Sequence, residues 1–218
     1  MPGHTFLYSP PVNLIRDLIS AGDLGEIHFI SSSRVNLGIH QSDVSVVWDL
    51  GPHDFSILRH WLGEIPQRVV AASRSCVIPG IADVAFVSLE FPSGILAHVE
   101  LAWLAPSKLR RTAIVGSERM VVYDDTSDEP VKIFDSGVVP QEGDTFGGRP
   151  TYRTGDIVSP KVDPTEPLQL ELQDFCHAVR SGETPTSSAA VGLDIVRMIE
   201  AVDRALAEGV SVEVAVGD

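Results

Sequence analysis

Residues 83–103, "DVAFVSLEFPSGILAHVELAW", hold two runs of alternating apolar residues on either side of "FPSG". Pro and Gly mark a tight turn, and the flanking period of two is that of β-strands. So short a connection joins antiparallel neighbours, because parallel ones need a crossover of a dozen or more residues. Outward from this hairpin, "QRVVAASRSCV", "RRTAIVG" and "RMVVYDD" are of the same kind, so the middle third predicts an antiparallel sheet. In the second run Ile95, Ala97, Val99, Leu101 and Trp103 share one face, which reads as core. Leu96, His98, Glu100 and Ala102 share the other. That mixed face predicts association with another copy or domain, since left in water it is a liability.

The flanks are helical. In "SPPVNLIRDLISAGDLG", Ser9 reads as an N-cap with prolines in the opening turn, and Leu14, Ile15, Leu18 and Ile19 form one face before Gly22 stops it. "EIHFISSSRVNLG" alternates as a strand, and "WDLGPHDFSILRHWLG" has Phe55, Leu58 and Trp61 or Leu62 at helical spacing ahead of Gly63. Near the other end, "EPLQLELQDFCHAVRSG" and "TSSAAVGLDIVRMIEAVDRALAEG" are periodic helices closed by Gly, followed by the alternation of "VSVEVAV". The reading is one domain over 1–218: a junction segment and helix (1–25), a site helix and sheet (26–136), a long loop rich in Gly, Pro and Asp (137–164), and closing helices with a last strand (165–218). The fold class is α+β, an open, mostly antiparallel sheet with helices packed on one face.

Composition narrows the function. With 44% hydrophobic and 21% charged residues the chain is an ordinary globular one. Its net charge of −14 repels phosphate backbones, so no nucleic-acid partner is expected, and an anionic substrate needs a local cationic pocket. No stretch nears the ~20 apolar residues of a membrane span, and the first residues lack the order of a signal peptide, so no membrane partner and a cytoplasmic address are expected. Cys76 and Cys176 stand apart without paired-thiol or metal spacing and read as small buried hydrophobes. No nucleophile elbow or G-x-G-x-x-G phosphate loop is present, and "FGGRP" is not followed by a helix pattern.

Asp49 and His53 in "WDLGPHDFS" carry the chemistry. Four residues apart on a helix, they stack one turn from each other, where a carboxylate holds an imidazole in one tautomer. Asp49 is equally a good N-cap, so a capped helix with an incidental His53 is the competing reading. Gly51 and Pro52 between them are odd for a purely structural turn unless something approaches closely. Adding His60, seven residues on, draws a metal set, but no further ligand follows at helical or hairpin spacing. His4, His28, His40, His98 and His177 have no partner visible in sequence.

"DVSVVWDLGPHDFSILRHWLG" resembles the start of the C-terminal domain core in the Gfo/Idh/MocA family of NAD(P)-dependent oxidoreductases. "GHTFLYSPPVNLIRDLISAGDLGEI" is similar to the segment in which those enzymes leave their nucleotide-binding domain, and "EPLQLELQDFCHAVRSGETP" with "GLDIVRMIEAVDRAL" to their closing helices. The resemblance implies that His53 exchanges the proton of a sugar or polyol hydroxyl while Asp49 orients it. "SSSRVNLGIHQSDVSVVWDLGPHD" looks most like dehydrogenases of nucleotide-activated amino sugars. By that likeness Tyr8, Arg34, Asn36 and Gln41 fall near the substrate, and Arg149 or Arg153 meets its phosphates. It implies NAD or NADP as cofactor, yet the family's Gly-rich fingerprint and Glu-Lys-Pro motif are missing. A separate chain carrying a Rossmann domain is then an expected partner, together with a homo-oligomer through the sheet face. The rival class is a non-catalytic binding or oligomerisation domain derived from such an enzyme.

Overall fold

The structure, a computed structural model, describes residues 1–38, 40–139 and 151–215. A 3₁₀ turn at Thr5–Tyr8 leads into helix α1, Pro10–Ser20. Strand β1, Ile27–Leu37, precedes helix α2, Val46–Leu62. Then come β2, Arg68–Arg74, β3, Val84–Glu90, β4, Leu96–Ala102, β5, Leu104–Gly116, and β6, Met120–Asp124. Strands β7, Val131–Val139, and β8, Thr151–Val158, are followed by helices α3, Pro167–Ser181, and α4, Ala189–Glu208, and a last short strand β9, Val212–Glu213.

The nine strands among the described residues form one sheet in the order β8-β7-β6-β5-β1-β4-β3-β2-β9. The 83–103 hairpin is present: Gly94 takes φ 86° and its N–H donates to Phe91 O at 2.9 Å. Only Gly tolerates that φ without a Cβ penalty. One pairing departs from the antiparallel expectation, because β1 runs parallel to β4. The crossover between them is α2 together with β2 and β3, so the connection is long where the hairpin logic considered only short ones.

The interior lies on one face. Val87, Leu89, Ala97, Val99 and Leu101 meet Phe55 and Leu58 of α2 and Ile195, Met198 and Val202 of α4 in one cluster. Each such side chain contributes about 1.5–3 kcal/mol by leaving water. Trp103, at the end of the apolar face read from sequence, is wholly buried. On the opposite face Phe29, Val70, Phe86 and Leu96 are exposed, and Phe86 stacks on His98 with ring centroids 6.1 Å apart. Ala102, assigned to that face, is buried instead.

The stretch 137–164 is not a plain loop. It contains the end of β7 and all of β8, paired antiparallel. These strands lie at the sheet's edge, with Val138, Tyr152, Ile157 and Val158 exposed, so the alternation that marks a half-buried strand is missing. Both cysteines are exposed rather than buried. Cys176 sits on the outward side of α3, where Leu168, Leu172, Phe175 and Val179 also face solvent. No helix among the described residues is long and apolar enough to cross a membrane.

Candidate active site

Helix α2 starts four residues earlier than an Asp49 cap would require. Ser45 is its N-cap, without a side-chain cap hydrogen bond, and the Val46 N–H donates to Ala82 O at 2.8 Å. Asp49 therefore sits within the first turn, where a carboxylate is favoured by the helix dipole. Its Oδ2 accepts from Trp103 Nε1 at 2.8 Å. Among the described residues no hydrogen bond joins Asp49 to His53, so the orienting role read from their spacing is not the arrangement seen. The close approach at Gly51 comes from the protein itself. A Cβ there would stand 3.2 Å from Phe55 Cε2 and 3.5 Å from Leu101 Cδ1, so the helix packs tightly on β4. Pro52 lies inside the helix and withholds the N–H that would have bonded the carbonyl four residues back.

His53 projects into a polar strip inside the otherwise apolar interior. Phe6 meets its ring edge-on, with centroids 5.2 Å apart and planes at 67°. Behind it, Asp54 is buried and accepts from Ser32 Oγ at 2.7 Å and from Arg34 Nε, forming a buried ion pair. Ser32 also shares a 2.8 Å hydrogen bond with Thr112 Oγ1. The Arg34 guanidinium carbon lies 4.7 Å from the Phe6 ring centroid, a cation–π contact. Arg110 pairs with Asp125 at 3.1 Å, and Tyr123 donates to the same carboxylate at 3.2 Å. Burial first, then the Arg34 cation, pushes the His53 ring down to about 4, against the opposing pull of Asp54. Its ring is neutral at neutral pH, the form that accepts a proton.

The other expected residues scatter. Arg34 reaches His53's surroundings, but only 3% exposed and locked to Asp54. Tyr8 is also buried, its hydroxyl donating to Asp174 Oδ2 at 2.7 Å and accepting from the Ser187 N–H at 3.1 Å. It ties the 3₁₀ turn to α3, and burial pushes its phenol up to about 12. Asn36 is half-buried two residues beyond Arg34 on β1, and Gln41 is exposed between β1 and α2. Arg153 is held by Asp135 and by Glu118 O on β8, with β7, β6 and β5 between it and β1. At strand spacings of ~4.8 Å that separation is roughly 19 Å, so Arg153 does not join this site. Arg149 lies outside the described residues.

Phe6, Asp54, Trp103 and Arg110 belong to the site and were not singled out from sequence. Asp54 stood in the quoted motif, and Trp103 closed the apolar face of β4; only contact geometry reveals what they hold. His60 shares a 2.9 Å hydrogen bond with Asn13 Oδ1, away from His53, and among the described residues no three His, Cys, Asp or Glu side chains are grouped to hold a metal. No glycine-rich helix start that would cradle a dinucleotide is found among the described residues. The four α-helices open on Pro or on Val and Ala after a serine, not on a glycine-rich turn that would cradle a pyrophosphate.

Comparison with known proteins supplies the lineage. The chain is 27% identical over 168 residues to D-xylose 1-dehydrogenase (NADP(+)) 2 of Haloferax volcanii, a match over 77% of this chain and 47% of that one. An aldose-aldose oxidoreductase from Caulobacter crescentus superposes with a TM-score of 0.77 at 21% identity, over 97% of this chain and 62% of that one. UDP-N-acetylglucosamine 3-dehydrogenase from Acidithiobacillus ferrooxidans does so with a TM-score of 0.71, also at 21% identity, over 94% and 61%. These two structural likenesses establish the fold alone. The chain spans less than two thirds of the length of each of these relatives. The family model for the GFO/IDH/MocA C-terminal domain matches residues 12–122, half of the chain, and the protein belongs to that oxidoreductase family.

Proposed function

We propose that this chain is the substrate-binding and proton-transferring domain of an NAD(P)-dependent dehydrogenase acting on a hydroxyl of a sugar or cyclic polyol, nucleotide-linked sugars included. The observation that carries the reading is His53, neutral and set among α2, β1, β5 and the 3₁₀ turn in a family of oxidoreductases. An alcohol oxidised at carbon loses its hydroxyl proton, and a neutral imidazole beside it takes that proton. The nicotinamide chemistry belongs to a nucleotide-binding domain outside these 218 residues. The outward stripe of Leu168, Leu172, Phe175 and Val179 on α3 supports such an addition, as an apolar face on which nothing among the described residues is packed. A cytoplasmic setting goes with this reading.

The names of the relatives support a carbohydrate substrate: a xylose dehydrogenase and a UDP-N-acetylglucosamine dehydrogenase are among them. The nucleotide-linked form draws less from the site, since Arg153 is spent on Asp135. A second reading, a non-catalytic oligomerisation domain, is favoured by one observation: Asp49 serves Trp103 rather than His53.

The test joins the chain to a nucleotide-binding domain of a family relative, in trans or by fusion, and assays NAD- and NADP-dependent oxidation across sugars and polyols. Turnover that His53→Ala abolishes supports the enzyme. Turnover unaffected by His53→Ala, or none with any of them while the fusion binds cofactor, leaves the second reading.

A further inference from the structure

Arg34 of β1 and Arg110 of β5 are direct partners in the antiparallel register. Their side chains therefore leave the sheet on the same face, with Cβ atoms about 5 Å apart, an opposition of like charges that is unfavourable by itself. Each is answered by a different carboxylate, Arg34 by Asp54 and Arg110 by Asp125. Arg34 Nη1 and Arg110 Nε remain buried without a hydrogen-bond partner. As a device for stability this is poor, because a buried ion pair often gains nothing over apolar residues of the same volume.

Its geometry toward His53 gives it another use. Phe6 touches both groups: its centroid lies 4.7 Å from the Arg34 guanidinium carbon and 5.2 Å from the His53 ring centroid. With Arg34 only 3% exposed, its charge is screened little by solvent and acts more strongly on its neighbours than it would in water. The charged groups around His53 are Arg34 from β1, Arg110 from β5, and Asp49 and Asp54 from its own helix. The 3₁₀ turn adds only Phe6. Both carboxylates are engaged elsewhere, Asp49 by Trp103 and Asp54 by Ser32 and Arg34.

We propose that Arg34, fixed by Asp54 and backed by Arg110, is a positioning residue that keeps the His53 ring in its neutral, proton-accepting form. This rests on His53 being the acid/base of the proposed function. In that step the substrate's O–H bond breaks and a ring N–H forms. The resulting imidazolium faces two fixed cations, so it passes its proton on to water instead of storing it.

The test is the ring titration of His53, followed by nitrogen-detected NMR on the chain as it is. The wild-type ring is expected to protonate near pH 4. Arg34→Met should raise that midpoint by about one unit, a tenfold gain in proton affinity. Arg34→Met/Asp54→Asn, which also removes the unpaired carboxylate, should still lie above wild type, and Arg34→Lys should restore most of the original value. Arg110→Gln, at a partly exposed position, should raise it less and decides the matter if the Arg34 variants do not fold. An unchanged midpoint in every folded variant overturns the proposal. A shifted midpoint that the acidic limb of kcat/KM in the complemented enzyme does not follow would instead remove His53 as acid/base and leave its charge control standing.

Discussion

Trp103 Nε1 donates to Asp49 Oδ2 at 2.8 Å, so the carboxylate one helical turn ahead of His53 is tied to the end of β4. Trp103→Phe keeps most of the buried volume and removes only the donor. It should cost about 1.5–3 kcal/mol, the usual worth of a hydrogen bond to a charged group. Asp49→Asn keeps an acceptor for the indole and should cost about 1 kcal/mol or less. Ser45→Ala should fall within about 0.5 kcal/mol of wild type, because the Ser45 side chain makes no cap hydrogen bond. Urea unfolding checks all three, and an Asp49→Asn loss larger than that of Trp103→Phe would contradict this ranking.

His53→Ala in the complemented enzyme should lower turnover by ~10²-fold or more, the contribution of a placed proton-transfer group. KM should change little by comparison. Steady-state kinetics with a saturating sugar separates this from a folding defect, which would scale with the folded fraction.

Stability should fall with acidification in a defined window. Burial, then neighbouring arginines, pushes His53 and His60 each down to about 4. The unfolded chain takes up protons at both as pH drops through about 6.5, while the folded chain stays neutral there until about 4. Protons therefore bind preferentially to the unfolded state between those values, and stability rises with pH across the window. Urea midpoints at pH 7.5 and 4.5 should differ accordingly, and His53→Gln/His60→Gln should flatten the difference. An equally steep loss in the double variant would assign the acid sensitivity to other groups.

The outer sheet face should hold two copies together. Phe29, Val70, Phe86 and Leu96 leave apolar surface exposed across four neighbouring strands. Light scattering at tens of micromolar should give a mass above that of the 23.5 kDa chain, and Phe86→Glu/Leu96→Glu should return it to the monomer. A monomeric wild type ends this expectation.

Neither NAD nor NADP should bind the chain alone. None of the helices among the described residues opens on a glycine-rich turn that would cradle the pyrophosphate. Calorimetry at micromolar cofactor is the measurement, and saturable heat would reveal an unconventional site.

What the sequence disclosed follows from which forces are local. The "FPSG" turn and the alternation around it identified the β3–β4 hairpin because turn chemistry and side-chain period act over a few residues. Helices α1, α2, α3 and α4 were legible for the same reason. The parallel β1–β4 joint was not, since strand order depends on packing between segments far apart in sequence. Strand β8 was missed because an exposed edge strand needs no apolar face. At the site, spacing placed Asp49 and His53 one turn apart correctly but could not show that an indole would claim the carboxylate. Arg34 was expected beside a substrate; its pairing with Asp54 through Nε, close to His53, was not visible in the sequence.

The place of β1 bears on how the chain folds. It is the first strand among the described residues and lies in the interior of the sheet, between β4 and β5. Its ladders join residues 27–37 to 96–102 and to 104–116, so every one of its pairings is made at long sequence range. Loop closure of that size is slow, and a nascent chain stopped before Gly116 leaves a strand with unpaired edges that invites aggregation. The first half thus has no foldable subset of its own. Synthesis must pass β5 before the centre of the sheet can close.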